Sequence, residues 1–202
     1  MFQRFLNKWL PPRIKSSSDF IAFLERSAWL VAQKTVIGYC TVKTNLPVHE
    51  LAKDKPFADA YDVSIRHAYA ASLADIIEIA LGYLRSVAPG RESELADRLA
   101  EVHEFLLTAQ TAPTAEGWGS EIAATRARLR LAVVSAPLPI RELSMTSAQR
   151  IIATLPIHER LRSPDAPAIA ASVQFMMVGR AHEFERIEIG AVANDLLSQA
   201  PA

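Results

Sequence analysis

The chain of 202 residues has one cysteine, seven glycines, 7% aromatic residues and no net charge. Each shortage excludes something. A single cysteine, Cys40, rules out an intramolecular disulfide framework, and its apolar neighbours make it a buried small hydrophobe. Seven glycines include no phosphate-cradling loop: neither Gly-x-x-x-x-Gly-Lys-Ser/Thr nor Gly-x-Gly-x-x-Gly occurs. The 22 acids balance the 22 lysines and arginines, which gives nucleic acid no broad electrostatic handle. No apolar run reaches 18 residues without a charge; Ala68–Leu84 comes nearest and is interrupted by Asp75 and Glu78. The first fifteen residues lack the apolar core of a secretory signal, so a cytoplasmic location is expected.

What is present is helical. Half the residues are hydrophobic, enough for a sizeable core in one domain. The expected fold is all-α, a single-domain bundle of about five to seven helices, spanning residues 16–202 behind a basic amphipathic arm at 1–15. The bundle is expected to be organised around Ser18–Leu46, which opens with serines suited to capping and ends at Pro47. Its middle, Ala28–Cys40, is apolar on nearly every side, which predicts a central helix with partners all round. Gly38 within it suggests the close approach of another helix. Phe57–Val87 is expected to follow as an antiparallel partner. Glu92–Gln110 is a clean amphipathic helix. Ser120–Ser135 alternates Arg126, Arg128 and Arg130 with apolar residues, a strand-like period, but its Ala, Arg and Leu content favours helix. Ser120 is expected to cap it. The last long helix opens at Ser163-Pro164-Asp165 and runs, past a kink at Gly190, to about Leu197.

Met1–Leu10 places Phe2, Phe5, Leu6 and Trp9 on one helical face, with Arg4 and Lys8 off it. Rings opposite cations are what an interfacial helix needs, so Phe2, Arg4, Phe5, Leu6, Lys8 and Trp9 are candidates for contact with a membrane surface or a partner. Docking on the protein's own body is the alternative.

Chemistry-bearing patterns are sparse. The histidines are scattered, Glu-x-x-His is absent, and there is no paired-cysteine or calcium-loop pattern, so no metal or cofactor is expected. Gly117-Trp118-Gly119-Ser120 is not a nucleophile elbow. The best place for a polar site is the second helix, where His67, Ala71, Asp75, Glu78 and Gly82 share a face with Ser72 beside it. Carboxylates in an apolar stretch need partners. Arg26, Gln33 and Lys34 of the opening helix are the expected ones; an ion pair fixing the register of the two helices, a general acid and a small-ligand pocket are the three readings.

Ser27–Thr44, SAWLVAQKTVIGYCTVKT, and His67–Ala80, HAYAASLADIIEIA, resemble a family of small, uncharacterised bacterial all-helical proteins. The likeness lies in Val31-Ala32-Gln33-Lys34-Thr35-Val36-Ile37-Gly38-Tyr39-Cys40 and in Ser72-Leu73-Ala74-Asp75, and covers roughly residues 20–84. Some members are labelled esterase, and no motif in this chain supports that label. A site shared with the family would comprise Gln33, Lys34, Thr35, Gly38, Tyr39, Ser72 and Asp75. The function expected first is that of a non-enzymatic interaction or scaffold protein, peripheral to the inner membrane face through its arm, with a protein partner or a second copy of itself. The alternatives are a hydrolase built on Lys34, Tyr39, Ser72 and Asp75, and a helical lipid or quinone binder using the rings of Phe20–Trp29 and Phe175-Met176-Met177.

Overall fold

The computed structural model describes residues 13–198, so the arm contacts expected at Phe2, Arg4, Phe5, Leu6, Lys8 and Trp9 lie outside the described residues. The fold is an all-α bundle with no strands among those residues. Its long helices are α1 (Ser17–Thr44), α3 (Lys55–Leu84), α4 (Glu92–Thr108), α5 (Gly119–Val134), α7 (Met145–Thr154), α9 (Ala166–Glu183) and α10 (Ile189–Ser198). Short turns α2 (Val48–Leu51), α6 (Ile140–Leu143) and α8 (Glu159–Arg162) carry the helix count above the expected five to seven. Among the described residues, no helix is long and apolar enough to cross a membrane.

Local signals set most boundaries. Ser16 caps α1, its Oγ accepting from the Asp19 N–H at 3.2 Å, one or two residues before the serines expected to do so. At the other end Asn45 adopts the left-handed conformation, with φ 55°, and Pro47 follows. Proline stands in the first turn of both α3 and α9, where its missing N–H removes no helical bond. Ser120 is not a cap: its hydroxyl donates to Glu121 Oε2 at 2.6 Å, one residue inside α5. The last two helices are also not one kinked helix. α9 ends at Glu183, well before Gly190, because Ile187 turns extended and pairs in parallel with Ile14, the Glu188 N–H donating to the Ile14 carbonyl at 2.9 Å.

The central helix is α3, not α1. It packs against α1, α4, α5, α6, α7, α9 and α10. Ile76, Ile77, Leu73 and Leu81 are fully buried on it, each worth about 1.5–3 kcal/mol relative to exposure. α1 covers one side of α3 and keeps a solvent stripe of Lys34, Gly38 and Val42, at i, i+4 and i+8. A Cβ at Gly38 would meet nothing within 4 Å, so no helix approaches there. The α1–α3 seam is antiparallel: Trp29 stacks on Tyr69 at 4.3 Å, while near the other end of α1 burial, and then the neighbouring Cys40, push Tyr61 up. Burial pushes the Cys40 thiol up to about 11, in keeping with an unreactive core residue. A second aromatic cluster closes the bundle end, where Phe184 meets Phe23 edge-on at 5.3 Å and stacks with Tyr83 at 4.9 Å.

Candidate functional site

The sequence-expected site residues fall into two groups that α1 and α3 hold apart. On α1, Gln33 and Lys34 are exposed and Gly38 faces solvent. Thr35 is buried, with no hydrogen-bond partner for its hydroxyl among the described residues. The Tyr39 hydroxyl donates to the Leu161 carbonyl at 3.2 Å and to Asp165 Oδ2 at 2.9 Å. Lys43 completes that knot at 2.7 Å from the same oxygen. Partial burial, with the Asp165 bond second, pushes Tyr39 up to about 12, and Lys43 holds Asp165 below the usual carboxylate range. Tyr39 therefore ties α1 to the turn before α9. Ser72 is fully buried without a partner for its hydroxyl among the described residues.

Asp75 and Glu78 do have a cation, and it comes from α5. Arg128 Nη2 donates to Asp75 Oδ1 at 2.9 Å and to Glu78 Oε2, and Arg128 Nε donates to Glu78 Oε2 at 2.9 Å. The backbone N–H of Ser147, in α7, donates to Asp75 Oδ2 at 3.0 Å. Neither Lys34 nor Arg26 is bonded to these carboxylates. The reason is rotational: the polar face of α3 looks toward α5 and α7, away from α1. Asp75 is wholly buried, Glu78 nearly so. Burial is the largest influence on Asp75 and pushes it up, against the opposing pull of Arg128 and the Ser147 N–H.

The three arginines of α5 are not one basic cluster. Arg126 pairs with Glu104, Arg130 lies 3.5 Å from Asp97, and Arg128 turns inward to the two acids of α3. Beside them His103 is buried, its Nε2 3.3 Å from the Thr125 hydroxyl. Burial, and then the Arg128 charge, lower its pKa to about 4, so the ring is neutral at pH 7. On the α7 side, Arg150 bridges His67 Nδ1 at 3.2 Å and Glu121 Oε1 at 2.9 Å.

Immediately beyond Glu78 and Arg128, α3 and α5 diverge into a cleft of about 560 Å³, closed on its third side by the 135–143 segment and Thr146. Its walls are mostly apolar: Ile79, Leu131, Leu138, Ile140 and Leu143. Glu78 and Arg128 stand at one end, and Arg85, about two helical turns on from Glu78 in the turn that follows α3, also lines it. Gly82 lies between them on the same stripe, and a Cβ there would meet nothing within 4 Å. The missing side chain is part of what keeps the cleft open. Leu131 and Leu138 are 64% and 52% exposed. Lys34, Tyr39, Ser72 and Asp75 do not line it, nor do Phe20, Trp29 or Phe175. Phe20 and Met177 are core, and Phe175 stands on the outer face of α9.

Of the expected residues, Asp75 and Glu78 are thus brought together; the α1 set and Ser72 do not join them. The missed residues are Arg128, Arg85, Leu131 and Leu138. Arg128 had a readable signal: on a helix it lies on the face of Thr125 and Ala132, opposite Arg126 and Arg130, which set it apart from the other two cations of α5. Among the described residues no group of three or more His, Cys, Asp or Glu is placed to hold a metal ion. No family model, curated protein or solved structure matches this chain, so its function has to be read from this geometry.

Proposed function

We propose that the chain is a non-enzymatic binding protein that works through the cleft between α3 and α5. The observation that carries this reading is the cleft itself. Its volume lies within the range of small-molecule sites, its walls are apolar, and its few polar groups are gathered at defined points. The titratable groups at its inner end are already engaged with one another, which suits a fixed wall better than a proton-transfer site. Ser135 and Thr146 line it without a histidine beside them in the lining. No observation favours the hydrolase alternative. Attachment to a membrane surface through Met1–Leu10 belongs to the same proposal and rests on the sequence pattern alone.

Gly82→Phe tests the reading. The new ring would enter open space and fill the cleft while replacing a poor helix former. Nile red, a neutral apolar fluorophore, should brighten with the wild type and with Gly82→Ala, and not with Gly82→Phe, at equal helicity and thermal stability. Equal brightening in all three would remove the cleft from the proposal. Turnover of p-nitrophenyl butyrate by the wild type that Gly82→Phe stops would overturn the non-enzymatic part.

A further inference from the structure

The two arginines of the cleft are differently engaged. Arg128 gives Nε and Nη2 to carboxylates, two of which share its single charge. Arg85 has no carboxylate within 4 Å among the described residues. Its two hydrogen bonds, to the carbonyls of Ala132 at 2.6 Å and Ser135 at 3.1 Å, both come from Nη1. Those bonds hold the last turn of α5, whose terminal carbonyls need donors. Nε and Nη2 make no hydrogen bond among the described residues, and a guanidinium offers donors from all three nitrogens in a planar fork. Glu92 feels Arg85 only as the weakest of its influences, and Glu142 stands exposed in the cleft lining.

We infer that the cleft binds an amphipathic carboxylate: an aliphatic or aromatic acid whose carboxylate pairs with Arg85 and whose apolar body lies over Gly82 against Leu131, Leu138 and Leu143. This rests on the cleft being a binding site, and adds the ligand's chemical class. Charge complementarity carries it. Arg128 at the inner end is already paired with Asp75 and Glu78, leaving Arg85 as the cleft cation with no carboxylate partner among the described residues. Placing it roughly 10 Å along α3 from Glu78 gives the ligand a polar end and an apolar path of several carbons. A carboxylate accepts two parallel N–H bonds from such a fork, and against low-dielectric walls that pair is stronger than in water.

Displacement of Nile red by decanoate, decanol and decylamine, which share one chain and differ in head group, tests the inference. Decanoate should displace at least tenfold more strongly than decanol. Raising the salt concentration should weaken decanoate and leave decanol almost unchanged. Arg85→Met should erase the difference between decanoate and decanol; if that variant does not fold or no longer brightens Nile red, the salt dependence of the wild type decides. Equal displacement by decanoate and decanol, or stronger displacement by decylamine, overturns the carboxylate assignment while Nile red binding still upholds the cleft. Absence of Nile red binding fails the cleft first and the carboxylate with it.

Discussion

The two long seams of α3 are built on opposite terms. Toward α1 the seam is aromatic: Trp29 on Tyr69, Cys40 buried, and the hydroxyls of Tyr69, Thr35 and Ser72 enclosed with no partner among the described residues. Toward α5 the two carboxylates of α3 are engaged by Arg128 and the Ser147 N–H, and the seam opens into a cleft. A seam filled by side chains offers nothing to a ligand. A seam that places a mutually engaged ion cluster at the inner end of an apolar opening does. The sharpest prediction follows from this difference. Arg128→Met leaves Asp75 and Glu78 without their cation, and breaking a buried pair from one side costs about 3–5 kcal/mol. Arg126→Ala, at an exposed pair with Glu104, should cost under about 1 kcal/mol. Urea unfolding midpoints measure both; an Arg128→Met protein within about 1 kcal/mol of wild type would end the contrast between the seams.

Much of the frame was legible because helix ends are written locally. Serines before Phe20, Pro47, Pro89-Gly90 and Pro137 stop or start helices wherever they occur, and the polar stripe from His67 to Gly82 follows from a 3.6-residue period. The apolar run of α1 was legible too, but its meaning was not. Gln33, Lys34 and Gly38 are few, yet they are enough to turn one side of α1 to solvent, and the central place goes to α3. Which helix answers Asp75 and Glu78 is a matter of how α3 is rotated between its neighbours, and no local pattern encodes that. The break after Glu183 has no proline or glycine to announce it; it is set by the bridge of Ile187 to Ile14, 173 positions earlier in the chain.

The second prediction concerns pH and extends the α5 side. His103 is held neutral by burial and by the Arg128 charge, with a folded pKa of about 4 against 6.5 unfolded. Its contribution to stability is complete above pH 6.5. It falls as the unfolded state takes up a proton the folded state refuses, and is lost by about pH 4. The 2.5-unit difference corresponds to about 3 kcal/mol. Asp75 acts in the opposite direction: its raised pKa gives stability that is present below the normal carboxylate range and declines as pH rises through the folded value. Comparing wild type with His103→Gln from pH 7 to pH 4 isolates the histidine, because Asp75 is common to both. The variant should lose less stability over that interval. Parallel curves would mean that His103 takes up its proton as readily in the folded protein as in the unfolded chain, and that the α5 seam is wetter than its burial indicates.

The smallest effect tests the α1 side, and its sign matters more than its size. The Tyr69 hydroxyl is buried beneath Trp29 with no partner among the described residues, so the folded protein bears its desolvation without compensation. Tyr69→Phe keeps the stacked ring and deletes only that oxygen, and should raise stability by about 1 kcal/mol. Thr35→Val, at the second enclosed hydroxyl of the same seam, should act in the same direction. Opposite signs for one polar deletion on each side of α3, a gain at Tyr69 and a loss at Arg128, would establish that the two seams differ in kind. A loss of about 1 kcal/mol or more in Tyr69→Phe would instead show that the hydroxyl is satisfied in solution, most simply by an enclosed water, and the α1 seam would then have to be reconsidered as a polar one.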